Sequence, residues 1–159
     1  MALAPEQERE LRLAVRQARL VAFTCCFAAP AMYLVSVGSQ ALGGRWQWFL
    51  VGFGRVPWND HRVPWAVAAA SLAFALSLVL PGRLGRMGDP RAALGALRAR
   101  NLARSALLAA VAVCGLYLGI KLGPPAASVC LALCLVPMAR GFYVFPSESR
   151  WREAMSRTA

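Results

Sequence analysis

The stretch PGRLGRMGDPRAALGALRARNLAR, residues 81–104, contains six arginines and a single acid, Asp89. It lies between two runs that carry no charge, residues 63–80 and 105–120. Positive residues gather in the cytoplasmic loops of membrane proteins, so a basic connector between apolar runs is typical of that class. The stretch therefore predicts an integral membrane protein and gives a first indication of its orientation.

The composition and the spacing of uncharged runs support this class. The chain has 159 residues, of which 58% are hydrophobic. Its uncharged runs are 20–39, 63–80, 105–120 and 122–139. A bilayer core needs about 20 helical residues to cross it, and Lys121 and Arg140 can extend the two shorter runs by reaching towards the interface. We predict an all-α polytopic fold with four transmembrane helices near 20–40, 62–80, 102–121 and 124–141, arranged as two helical hairpins.

The alternative for the last two runs is a pair of buried helices in a soluble bundle. A soluble bundle needs amphipathic partner helices to cover such apolar segments. Beyond the short segment 1–19, the rest of the chain offers no such partners, so we favour the membrane interpretation.

The distribution of positive charge predicts the orientation. Of the 18 lysines and arginines, 14 fall in 1–19, 81–104 and 140–159, and four fall in 40–62 and 121–124. Since positive residues stay inside, both termini are expected in the cytoplasm. The predicted organisation is an amphipathic cytoplasmic lead-in helix (1–19), a transmembrane domain (20–145) with an outer loop at 41–61 and a cytoplasmic loop at 81–101, and a cytoplasmic tail (146–159). The location predicted is the inner (cytoplasmic) membrane of a cell.

Arginines of the cytoplasmic loop are candidates for contact with anionic lipid headgroups or with a partner. They are Arg83, Arg86, Arg91, Arg98, Arg100 and Arg104. A net charge of +11 also raises the question of nucleic acid or a calmodulin-like partner. Because the charge is segregated between apolar runs, we predict a lipid contact and no nucleic-acid partner.

The outer loop is rich in aromatic residues that suit the headgroup region of a membrane. The candidates are Trp46, Trp48, Phe49, Phe53, Trp58 and Trp65. Interfacial anchoring is the simplest interpretation of them. A docking surface for a partner subunit, or for the ring of a quinone or pigment, is the alternative.

Groups for catalysis or metal binding are sparse. All seven acids lie outside the predicted spans, which argues against a proton or cation path through this chain. His61, the only histidine, is a weak candidate ligand or proton carrier at the outer face, next to Asp60. The five cysteines lie within spans without Cys-x-x-Cys spacing and are expected to serve in helix packing. We therefore predict no catalytic residue, metal or cofactor.

Small residues recur at three- and four-residue spacing on two spans. On the second span they are Ala66, Ala69, Ala70, Ala73 and Ser77, and on the third Ala109, Ala112, Gly115 and Gly119. Membrane helices associate by close packing over such residues. We expect a non-enzymatic subunit or assembly factor of a larger membrane complex, which associates with other membrane subunits or with itself. The alternatives are an oligomeric transporter or channel component, a small membrane enzyme, or a pigment- or quinone-binding subunit.

Overall fold

The computed structural model describes residues 5–42, 56–79 and 90–158, and every regular element in these ranges is a helix. The α-helices are α1 (Pro5–Leu42), α2 (Arg62–Val79), α3 (Pro90–Leu122), α4 (Ala127–Tyr143) and α5 (Glu148–Thr158). A short 3-10 helix, Pro124–Ala126, connects α3 to α4. The prediction of an all-α fold is confirmed.

Two of the described helices are long and apolar enough to cross a membrane, namely α2 and the Arg91–Leu122 part of α3. Counting α4 and α5 as one broken span, bent by 60°, adds a third. The predicted second and third spans thus coincide with helices of suitable length and composition. The predicted first span lies in α1 and most of the fourth lies in α4. Their crossing of the membrane stays a prediction.

The ends of α3 follow from its sequence. The helix begins at Pro90, whose fixed backbone angle suits the first helical position and whose missing N–H leaves no hydrogen bond unmade. It ends before Gly123, which has a left-handed φ of 65° and donates its N–H to the carbonyl of Gly119 over 3.1 Å. This glycine cap turns the chain sharply, so α3 and α4 form a helical hairpin.

Close packing over glycine joins the hairpin. A Cβ atom placed on Gly115 would lie 2.9 Å from the carbonyl oxygen of Cys130 and 2.9 Å from the Cβ of Leu133. One placed on Gly119 would lie 3.0 Å from the Tyr33 ring of α1. At Gly115 a side chain would force the facing part of α4 to shift, so glycine allows α3 and α4 to approach this closely.

The predicted small-residue faces are largely buried against neighbouring helices. Ala66, Ala70 and Ser77 of α2 are buried, as is Ala112 of α3. Ala69 was expected on the same seam but is exposed. Ala69 directly precedes Ala70 and is rotated from it by about 100° around the helix axis, which turns it away from the buried side of α2.

One end of the molecule is closed by a small apolar core, which we call the three-helix cap. It joins the first turns of α1 and α3 to α5. The buried residues are Leu11, Ala14, Val15, Ala18, Leu94, Leu97, Trp151 and Met155. The N-terminal part of α1, the N-terminal part of α3 and the C-terminal helix therefore lie at the same end of the protein.

Candidate functional site

Ion pairs fasten α5 to α1 on the surface of the three-helix cap. Arg152 lies 2.7 Å from Glu8 and 3.1 Å from Glu148, both measured from Nη2 to Oε1. Arg12 lies 3.2 Å from Glu8 and 3.6 Å from Glu148. The hydrogen bond from Arg12 and the nearby charge of Arg152 hold the pKa of Glu8 below its ordinary value of 4.5. Ion pairs of alternating sign therefore join α5 to α1 on the surface of the cap, where water and salt weaken their attraction.

Hydrogen bonds to backbone carbonyls fix the bend between α4 and α5. Arg19 Nε donates to the Pro146 carbonyl over 2.9 Å, and Arg150 Nη1 donates to the Tyr143 carbonyl over 3.1 Å. Asn101 Nδ2 of α3 donates to the Ala18 carbonyl over 3.1 Å. At the start of α5, the Ser147 hydroxyl accepts the N–H of Arg150 over 3.4 Å, which is a typical N-cap contact.

These contacts leave a cavity of about 250 Å³ between α3 and the α4–α5 bend. Arg100 and Arg104 line it from α3, and Arg150 lines it from α5. Asn101 and Ser147 add polar groups. None of the residues that line it is acidic. We call it the arginine cavity.

The charges at this cavity are of one sign. Arg104 lies within electrostatic range of Arg100 and of Arg140 on α4. The Nε atoms of Arg100 and Arg140 are buried and have no hydrogen-bond partner in the described part of the chain. Arg104 Nε donates to the Ser77 carbonyl over 3.4 Å, which links the cavity to α2. The arrangement therefore concentrates positive charge, and guanidinium N–H groups of this kind can donate hydrogen bonds to the oxygens of an anion.

The predicted cytoplasmic arginines thus separate into two groups. Arg100 and Arg104 come together at the cavity, whereas Arg98 is exposed and Arg91 is exposed with its Nη2 3.8 Å from Glu10 Oε1. Arg83 and Arg86 lie outside the described residues.

The outer candidates occupy the opposite end of α2 from its contact with Arg104. His61 is 80% exposed at its side chain, with Nδ1 3.9 Å from Asp60 Oδ1. Trp58 and Trp65 are also exposed. A cavity of about 480 Å³ lies between α2 and α3 beside His61, Trp65 and Tyr117. The remaining aromatic candidates, Trp46, Trp48, Phe49 and Phe53, lie outside the described residues.

The cysteines lie in the helix interfaces. Cys26, Cys130 and Cys134 are buried, and all five cysteines are free thiols. Cys130 and Cys134 pack with Tyr33, and Cys134 Sγ lies 3.8 Å from the Ala112 carbonyl oxygen. In the ranges 5–42, 56–79 and 90–158, no three His, Cys, Asp or Glu residues are grouped so that they could hold a metal ion.

Sequence reasoning missed Arg150, Asn101 and Trp151 as parts of a site. A signal was present in the tail, where Trp151 and Met155 are four residues apart between charged positions, the spacing of one helical face. What that face covers is set by residues distant in sequence, such as Leu11 of α1 and Leu94 of α3.

Comparison with known proteins gives no relative from which a function could be transferred: no family model, curated protein or solved structure matches the chain. The functional argument therefore depends on the geometry described above.

Proposed function

We propose that this protein is a non-enzymatic, multi-pass subunit or assembly factor of a larger complex in the cytoplasmic membrane. Its four spans place both termini and the three-helix cap in the cytoplasm. The observation that carries the proposal is the position of α2. Among the described helices, α2 packs extensively against α3 alone, whereas α1, α3 and α4 all pack against one another.

The outward side of α2 is suited to a partner helix. Its residues Ala68, Ser71 and Ala75 share one face of the helix at three- and four-residue spacing, and all three are exposed. Small residues on a membrane helix let a neighbouring backbone approach closely, and such contacts drive helix association where lipid is as apolar as the side chains. A transmembrane helix of another subunit is the partner that fits this face.

The chemistry of the spans supports a structural rather than a catalytic role. All acids lie outside the predicted spans, and the buried polar side chains in the described middle of the helices include the cysteine thiols and the hydroxyls of Ser77 and Ser105. A proton relay or ion path would use an ionisable group inside the membrane.

An Ala75→Leu substitution tests the proposal. Purified in mild detergent, the variant is expected to melt like the wild type, because Ala75 is exposed. Its partner chains, identified by native mass spectrometry of the wild type, should co-purify at a reduced level. Ala132→Leu, the same change at an exposed position of α4, is the matched control and should keep the partner. A wild-type protein that is purified only as a monomer contradicts the proposal.

A second candidate function is a subunit that binds a flat ring, such as a quinone or pigment, near the outer surface. The cavity of about 480 Å³ between α2 and α3 supports it, since Trp65 and Tyr117 offer aromatic faces there. Organic extraction of the natively purified protein, followed by absorption spectroscopy, tests it. A bound chromophore that is lost in Trp65→Ala supports this function, and a colourless extract without quinone contradicts it.

A further inference from the structure

We propose that the arginine cavity is a binding site for a phosphate group, which either an anionic phospholipid headgroup or free phosphate can supply. The lipid source depends on the proposed membrane position of the protein, whereas the phosphate chemistry depends only on the cavity. The three arginines that define it are Arg100, Arg104 and Arg150.

The first argument is charge. Three guanidinium groups line a cavity of about 250 Å³ without an acidic residue in its walls. The nearest acid in sequence, Glu148, is engaged by Arg12 and Arg152 on the surface of the cap. Like charges held together repel one another, and an anion between them removes that repulsion. The structure thus provides a compensating site for negative charge.

The second argument is the supply of hydrogen-bond donors. Each guanidinium carries five N–H groups in a rigid fork, so a single bond to a carbonyl leaves others available. Arg150, for example, uses Nη1 for the Tyr143 carbonyl. Guanidinium forks supplied by both α3 and α5 suit the four oxygens of a phosphate better than the two of a carboxylate.

The third argument is depth along the helices. Arg104 directly precedes the uncharged run at 105–120, and Arg140 directly follows the run at 122–139. This is the level at which predicted span and cytoplasm meet, where lipid phosphates lie. The walls also include apolar side chains, Leu97 and Phe145, that can contact the glycerol region of a lipid. Basic pockets between helices at this level are suited to anionic headgroups.

The experiment measures lipid and phosphate binding to the full-length protein. Wild type and variants are purified in mild detergent, delipidated, and titrated with phosphatidylglycerol or phosphatidylcholine under native mass spectrometry. We expect the wild type to retain phosphatidylglycerol in preference to phosphatidylcholine. Arg100→Gln and Arg150→Gln should each weaken retention about ten-fold or more, the loss expected for a hydrogen bond to a charged group.

Arg98→Gln is the matched control, because it removes the same charge from an exposed position of α3. It should retain phosphatidylglycerol like the wild type. Equal loss in Arg98→Gln and Arg100→Gln would show a nonspecific attraction and overturn the proposal. Melting curves identify any variant that fails to fold, and since Arg100 and Arg150 lie on different helices, either variant alone decides the question.

Inorganic phosphate distinguishes the two sources. If the cavity takes free phosphate, phosphate at millimolar concentration raises the melting temperature of the wild type but not of Arg100→Gln, and chloride at equal ionic strength has no such effect. If it takes a headgroup, phosphatidylglycerol is retained and phosphate has little effect. A folded wild type that prefers neither ligand overturns the site. Because partner co-purification is measured separately, this failure leaves the proposed subunit role standing.

Discussion

Two glycines of the same helix offer a matched test of the packing between α3 and α4. Gly95 and Gly115 both lie within α3. A Cβ atom on Gly95 meets no atom within 4 Å, whereas one on Gly115 would lie 2.9 Å from the Cys130 carbonyl oxygen and 2.9 Å from the Cβ of Leu133. The added methyl group of alanine therefore lies in open space at position 95 and against close-packed atoms of α4 at position 115.

The expected magnitudes follow from this difference. Alanine stabilises a helix interior over glycine by about 0.5–1 kcal/mol, which applies at both positions. At Gly115 the contacting atoms are backbone and Cβ, which cannot move aside cheaply, and overpacking costs about 1–3 kcal/mol. We therefore expect Gly95→Ala to raise the free energy of unfolding by about 0.5–1 kcal/mol and Gly115→Ala to lower it by up to about 2.5 kcal/mol.

The assay is unfolding of the purified protein in mixed micelles, with increasing SDS, followed by circular dichroism. Both variants are compared with the wild type at the same protein and detergent concentrations. If Gly115→Ala is as stable as Gly95→Ala, α3 and α4 do not approach as closely as the structure shows, and the reasoning is refuted.

Three further predictions concern the cap and the cysteines. Trp151→Ala should lower the free energy of unfolding by about 3–5 kcal/mol, since Trp151 is buried in the cap core, or it should release α5 alone. A helix of this length is only marginally stable by itself, so a released α5 would unfold, and limited proteolysis of the C-terminus measures that release. Because Arg12 and Arg152 lower the pKa of Glu8, its carboxylate stabilises the fold above pH 4.5, and this contribution disappears as the pH falls through the lowered pKa. Glu8→Gln should therefore lose less stability than the wild type over that acid range. An acid-unfolding profile identical to that of the wild type would show that the ion pairs do not hold the cap. Replacing all five cysteines by alanine should leave the helical content intact with a modest loss of stability, whereas metal or a redox-dependent gel shift that disappears in this variant would contradict a packing role.

Sequence patterns predicted the helices better than the contacts between them. The predicted second span, 62–80, corresponds closely to α2, because an apolar run bounded by charge is a local signal. The docking of α5 could not be predicted, since its face of Trp151 and Met155 does not encode which helices it covers.

The arginine cavity shows the same limit. The clustering of Arg100 and Arg104 is visible in the sequence, but Arg150 joins them only because the chain bends by 60° between α4 and α5. Ala69 shows the opposite error: its residue type and spacing placed it on the predicted small-residue face of α2, but it is exposed.

The central claim, a multi-pass protein with its arginine-rich end in the cytoplasm, is tested most directly by paired reporter fusions. Alkaline phosphatase, active only outside the cytoplasm, and a fluorescent protein that matures only inside it are fused after Gly44, Arg83 and Ala159. We expect the Gly44 fusion to be external and the Arg83 and Ala159 fusions to be cytoplasmic, consistent with the single end at which α1, α3 and α5 meet. An external Ala159 fusion, or an Arg83 fusion on the same side as Gly44, would contradict the account.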